Sequence, residues 1–185
     1  MIFAEFRELH TDRLCLRKLT REDIPLYFTR LGGSEAVTEY MLFDAHTHIS
    51  QSVASVEKAL RRYVEGRCYR FCIALAETDE LIGVIEALRF DEARSSCSFA
   101  YMLGQAFWGH GYGTEALNAL LDFLFTSMDI RVVEADHMAE NAASGAVMRK
   151  AGMVRTGVSP DKYEKHGILH DAVQYAITRE QWISR

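Results

Sequence analysis

The spacing of apolar positions divides the chain into helical and alternating stretches. Residues 13–17 alternate Leu14 and Leu16 with polar neighbours and predict a short strand after a start that reads as disordered. Thr20 precedes Asp23 at the capping-box distance, with Asp in place of Glu, so a helix is expected over 21–31, stopped by Gly32 and Gly33. Ser34 can cap a second short helix toward Tyr40, and 41–50 reads as a loop. Over 52–65, Val53, Val56, Leu60, Tyr63 and Val64 recur at helical spacing, and Gly66 closes that helix.

The pattern then changes. Apolar runs at 69–76, 81–90 and 96–103, separated by polar residues, predict a three-strand antiparallel meander. Residues 113–128 are apolar nearly all round, so this helix should be buried against the sheet. A strand at 132–138 and a helix at 142–151, stopped by Gly152, follow. Residues 154–158 and 170–178 predict a closing hairpin whose long connection carries Tyr163, Glu164, Lys165 and His166. The class is α+β, with one crossover after the meander.

At 185 residues and 49% hydrophobic content the chain reads as a single domain, 1–185, with a sizeable core. With two prolines and no low-complexity run there is no obvious linker. No apolar stretch reaches a membrane span, and Glu5, Arg7 and Glu8 interrupt any signal-peptide core, so no membrane association is expected. Cys15, Cys68, Cys72 and Cys97 lie in apolar or strand-like stretches without metal-type pairing and read as reduced thiols of a cytoplasmic protein. The net charge of -5 argues against a nucleic-acid partner and suits a cationic small molecule or peptide.

The candidate chemistry centres on Gly109, Gly111 and Gly113, which alternate directly before the apolar helix. Missing Cβ atoms let a backbone turn tightly and bring its N–H groups to a ligand, and the free N–H groups and positive end of the following helix favour an anion. A Walker loop would need Lys after the last glycine, where Thr114 and Glu115 stand. A Rossmann loop would open the first βαβ unit, whereas this one lies past mid-chain. Phe43, His46 and His48 are expected near a substrate mouth. A metal site on the two histidines is the competing reading, but no carboxylate or thiol is spaced to complete it, so no metal is expected.

Three segments, Trp108-Gly109-His110-Gly111-Tyr112-Gly113-Thr114-Glu115-Ala116, Asn141-Ala142-Ala143-Ser144 and Arg149-Lys150-Ala151-Gly152-Met153, resemble the GCN5-related N-acetyltransferase (GNAT) family, and within it the ribosomal-protein N-terminal acetyltransferase, Rim-type, branch. The resemblance runs from Thr11-Asp12-Arg13-Leu14 to Trp182. It implies a three-layer fold: a mixed, mostly antiparallel sheet with helices on both faces and a splayed strand pair holding the cofactor. The implied reaction is transfer of acetyl from acetyl-coenzyme A to a primary amine, on a protein N-terminus or a small molecule, by direct attack. A non-catalytic acyl-coenzyme A sensor is the alternative. The pyrophosphate would rest on Gly109, His110, Gly111, Tyr112, Gly113 and Thr114. The pantetheine would lie along Tyr101, Met102 and Leu103, where the family strand typically bulges and parts from its neighbour. Asn141 corresponds to a cofactor contact, and Ser144 to the donor of a hydrogen bond to the leaving thiolate.

Two positions depart from relatives: Met148 stands where many carry a Tyr, and Ser98 where others carry a Glu base. Glu86 is the remaining base, mid-strand where a charge needs a cleft or a partner, and Arg89 is the nearest partner in sequence. The acceptor is expected between Tyr40 to Phe43, the strand bearing Glu86, and the loop at 163–166. Dimers common among relatives make a homodimer through the closing hairpin an open expectation.

Overall fold

The computed structural model describes residues 3–66 and 68–185. Strands β1 (Leu9–His10) and β2 (Leu14–Arg17) lead into short helices α1 (Ile24–Tyr27) and α2 (Glu35–Thr38) and the long α3 (Ile49–Val64). The meander β3 (Tyr69–Leu75), β4 (Leu81–Asp91), β5 (Ser96–Leu103) is followed by α4 (Tyr112–Ser127), β6 (Val132–Met138) and α5 (Ala142–Lys150). A long hairpin of β7 (Val154–Lys165) and β8 (Ile168–Thr178) and the short α6 (Arg179–Ile183) close the chain.

The strands form one sheet in the order β1-β2-β3-β4-β5-β6-β8-β7, in which only β5 and β6 run parallel. Two apolar layers cover it. On one face Leu117, Leu120, Leu121 and Leu124 of α4 pack with Phe71, Ile85 and Val133. On the other, Tyr27, Leu31, Val56 and Ala59 pack with Cys72, Val84 and Met102. The sheet between two helical layers is the expected architecture. The cysteines are free, and burial pushes the Cys97 thiol up to about 12. No helix among the described residues is long and apolar enough to cross a membrane.

Four local expectations need correction. The start of the chain is packed: Phe6 stacks on Phe71 at 4.5 Å, and the Tyr69 hydroxyl donates to Ala4 O at 2.6 Å. The expected helix over 21–31 is a 3-10 turn (Arg21–Asp23), α1 and a π turn (Phe28–Gly32) in series, although the Thr20–Asp23 capping box does form. Helix α3 begins three residues earlier than read because His48 Nδ1 caps it, accepting from Ser50 N at 3.2 Å. Finally, the hairpin has no long connection. Lys165 pairs with Ile168 across His166 and Gly167, both at positive φ (52° and 75°), as the tightest hairpin turn requires.

The glycine loop is anchored from the far end of the chain. Glu115, in the first turn of α4, accepts Thr11 Oγ1 at 2.6 Å, Arg13 N at 3.1 Å and Arg13 Nε at 2.8 Å. Arg13 also donates to His110 O at 3.1 Å and lies over the Tyr112 ring at 4.5 Å. Burial opposes the Glu115 charge, but the hydrogen bonds from Thr11 and Arg13 outweigh it and hold this carboxyl below its ordinary value.

A carboxyl depressed in the folded state contributes stability above its unfolded pKa, about 4.3, and loses it as pH falls through the folded value. The urea midpoint of Glu115→Gln should therefore lie below that of the wild type at neutral pH. The gap should close as both are titrated toward about pH 3; a gap independent of pH would show that the charge is not what anchors the loop.

Candidate active site

Strands β5 and β6 share only three register pairs, Ser96–Val132, Cys97–Val133 and Ser98–Glu134, and then part. Between their ends lies a cavity of about 440 Å³, walled by β5, β6, the glycine loop and the first turns of α4 and α5. It is lined by Tyr101, Met102, Leu103, Gly109, Gly111, Tyr112, Gly113 and Thr114, and by Asn141 and Ser144 from the opposite wall. His110, grouped with these by its place in the motif, does not line the cavity; its carbonyl serves Arg13 and its ring stacks beside Tyr112.

Gly109 and Gly111 sit at φ +78° and +84°, where a Cβ would strain the backbone. Gly113 is helical, and a Cβ there would meet Val147 and Tyr101 at ordinary contact distances, 3.5 and 3.7 Å. Gly111 is the N-cap of α4 and supplies no side-chain cap. The amides of Tyr112, Gly113 and Thr114 therefore lack intrahelical partners and open on the cavity with the positive end of the helix dipole. An anion fits there.

On β5 the groups expected to meet pantetheine divide by the strand's alternation. Gly104 N bonds Ile82 O on β4, and a Cβ on Gly83 would lie 2.6 Å from Met102 O, so residues 102 and 104 turn their main-chain groups toward β4. Tyr101 and Leu103 turn theirs into the gap, but Leu103 O is taken by the Trp108 indole at 2.6 Å. Main-chain contacts to a ligand therefore narrow to Tyr101 and Leu103 N–H. The expected bulge is not at this point either: 101–103 pair regularly with β4, and the irregularity falls at Leu88 to Asp91. Divergence of β6 alone exposes the edge.

Asn141 Oδ1 caps α5 by accepting Ser144 N at 3.1 Å, which leaves its amide N–H₂ for the cavity. Ser144 is buried near the Tyr101 phenol; burial raises that phenol's pKa and the nearness of Ser144 opposes the rise. The Tyr101 side chain thus belongs to the site, although sequence reasoning assigned only its backbone. Met148 is buried in the core.

Glu86 lies on the other face of the sheet and lines a second cavity of about 300 Å³ with Tyr27, Phe43, His46, Ser55 and Arg70. Its partner is Arg62 of α3, whose Nη1 donates at 2.6 Å, and not Arg89, because residue 89 takes a positive φ at the strand irregularity. Tyr40 lines the first cavity and a third of about 630 Å³, not the second, and Tyr163 lines that third cavity with its hydroxyl on Asp136. Lys165 contributes through its ammonium, which donates to the carbonyls of Thr38, Glu39 and Met41 at 2.7, 3.0 and 2.8 Å and fixes the segment over the site. Met41 and Ala100 line all three cavities.

Sequence reasoning left His46 as a mouth residue. The structure packs it against Gly32, where a Cβ would lie 2.5 Å from Nδ1, and bonds that nitrogen to Ser52 Oγ at 2.8 Å. Burial lowers its pKa, so the ring is neutral at pH 7. His48 caps α3, and among the described residues the grouping with metal-type ligand geometry is Glu8, His10 and Cys15, which includes neither histidine.

Comparison with known proteins agrees with the fold. The acetyltransferase (GNAT) domain profile matches residues 13–154. The uncharacterized N-acetyltransferase p20 of Bacillus licheniformis is 30% identical over 94% of this chain and 97% of its own. The ribosomal protein uS5-alanine N-acetyltransferase of Escherichia coli is 24% identical over 94% of this chain and 92% of its own. Among solved structures, RimL, a ribosomal L7/L12 alpha-N-protein acetyltransferase in complex with coenzyme A, superposes with a TM-score of 0.83 at 20% identity, covering 93% of this chain and 98% of that one. A profile across most of the chain, and a relative at 30% identity along nearly all of it, make this protein a member of the GNAT family, an N-acetyltransferase whose acetyl donor is acetyl-coenzyme A.

Proposed function

We propose that acetyl-coenzyme A is held in the cleft between β5 and β6, and that an acceptor amine reaches it from the opposite face of the sheet at Ala100. The observation that carries this is the meeting of all three cavities at Met41 and Ala100, where the parted strands connect the two faces. The uncapped amides of 112–114 fit a pyrophosphate, and Tyr101 N–H and C=O fit the pantetheine amides. Acetyl-coenzyme A supplies the activated thioester.

The chain's residues then have distinct tasks. As the amine nitrogen bonds to the carbonyl carbon and the C–S bond breaks, the Ser144 hydroxyl in the cavity wall donates a hydrogen bond to the departing sulfur. Glu86, held by Arg62, accepts a hydrogen bond from an N–H of the incoming amine. In the tautomer that donates Nδ1–H to Ser52, His46 keeps its Nε2 lone pair to take the proton released from nitrogen. An α-amine with pKa near 8 is roughly a tenth neutral at pH 7, whereas a lysine-like amine is neutral about once in a thousand molecules or fewer. The site therefore suits an α-amine, of a peptide N-terminus or a small molecule.

Three measurements test these assignments. Calorimetry should show acetyl-coenzyme A binding at least about tenfold weaker in Gly111→Asp, which sets a carboxylate beside the pyrophosphate cradle; unchanged affinity would remove the pyrophosphate from α4. Ser144→Ala should lower kcat by roughly thirtyfold, the worth of a hydrogen bond to a charged group, with little change in the KM for acetyl-coenzyme A. An equal loss in binding alone would make Ser144 structural. For His46, a base whose pKa is lowered stays active through neutral pH and is lost below it. Under about pH 6.5, log kcat/KM of the wild type should approach a slope of two, one from the amine and one from His46, and His46→Gln should keep a slope of one. Identical profiles would exclude His46 as the proton acceptor.

A further inference from the structure

Building on the acceptor site just proposed, we infer that the cavity beside Glu86 receives an amine that also carries an oxyanion, in the first place a carboxylate, and that Arg70 recognises it. The geometry begins in the sheet register. Arg70 of β3 stands opposite Glu86 of β4, and Glu86 opposite Ala100 of β5, so one transverse row leads from the guanidinium to the junction where acetyl transfer takes place. With neighbouring strands about 4.8 Å apart, the Cα atoms of Arg70 and Ala100 are separated by roughly 10 Å. That span suits one small amino compound, or the first residue of a peptide, with nitrogen at one end and carboxylate at the other.

Charge supports the same reading. Glu86 is the only acidic residue among the described residues lining this cavity, and Arg62 already donates to it at 2.6 Å. Arg70 is half-buried, and its bonds go to neutral oxygens: Nη2 donates to the Tyr27 hydroxyl at 2.7 Å and reaches Ser55 Oγ at 3.5 Å, with the guanidinium carbon 5.6 Å from the Tyr27 ring centroid. Among the described residues it has no carboxylate partner, and its Nε and Nη1 donors make no hydrogen bond. Arg17, by contrast, is shared between Asp23 and Asp79 at 2.9 and 2.7 Å.

A guanidinium stays charged, and withdrawing it from water without a counter-charge is costly. An unpaired one in a cavity next to the reaction junction is a prepared receptor for a carboxylate, which it can grip with two parallel N–H bonds. A polyamine entering the same cavity would meet the Arg70 guanidinium and a Glu86 carboxylate already paired with Arg62.

The test compares acceptors with and without a carboxylate: free alanine against alaninamide, aspartic acid α-amide against asparaginamide, and an Asp-Ala-Ala-Ala amide against its Asn counterpart, with spermidine as the polycationic control. In the wild type, kcat/KM should favour the acidic member of a pair by about tenfold or more. The single amino acids and the peptides show whether the carboxylate belongs to a small molecule or to a peptide N-terminus. In Arg70→Gln the ratio should fall to within about twofold of unity, and Arg70→Lys should restore part of it, while calorimetric affinity for acetyl-coenzyme A stays unchanged. Equal rates within every pair, a preference for spermidine, or a ratio that survives in Arg70→Gln would overturn this inference and leave the acetyltransferase reading standing. If acetyl-coenzyme A binds but no amine is acetylated, the acceptor site itself is misplaced and both fall together.

Discussion

The parting of β5 from β6 is the constraint on which the site depends. Three parallel pairs tie the two halves of the sheet together at Ser96 to Ser98, and beyond them no strand among the described residues fills the gap. A sheet edge that opens inside a packed domain leaves Tyr101 main-chain groups without strand partners, and such groups are costly unless something else bonds them. The same gap joins the cleft on the α4 side to the cavities on the α1 and α3 side, and Ala100, exposed and without a bulky side chain, leaves the passage clear. One irregularity in pairing thus makes both the donor's seat and the acceptor's way in.

Around that gap the charged side chains fall into two groups. Most are committed to holding backbone in place. Arg13 and Glu115 join the start of the chain to the glycine loop, Lys165 gathers three carbonyls at the end of α2, and His166 pairs with Asp44 at 2.6 Å in the loop beyond. The tip of the closing hairpin therefore clamps the segment that roofs the acceptor side. The smaller group is left with capacity to spare: His46 with one ring nitrogen bonded, and Arg70 with only neutral partners. Those two side chains are where the acceptor cavity can do chemistry and choose among amines.

Legibility in the sequence followed the range of the forces involved. Helix α4, β6 and the meander were found within a residue or so because period and burial are written locally. The long hairpin was cut short because its outer residues are largely exposed and so carry no apolar alternation; His166 and Gly167 set its turn through φ alone. Phe3 and Phe6 lack periodic neighbours, and only the sheet they pack on reveals them as core. Glu86 was recognisable as a charge in need of a partner, but Arg62 lies 24 positions away and no local rule points to it.

The sequence by itself determined the class of the fold and the glycine turn with its uncapped helix, because hydrophobic period and missing Cβ atoms are written within a few residues. Tertiary structure alone decided which strand edge is open, that Tyr101 and Ser144 line one cavity, that His46 is half-buried against Gly32, and that Arg70, Glu86 and Ala100 stand in one row. Register and layer packing set these, and both join residues far apart in the chain.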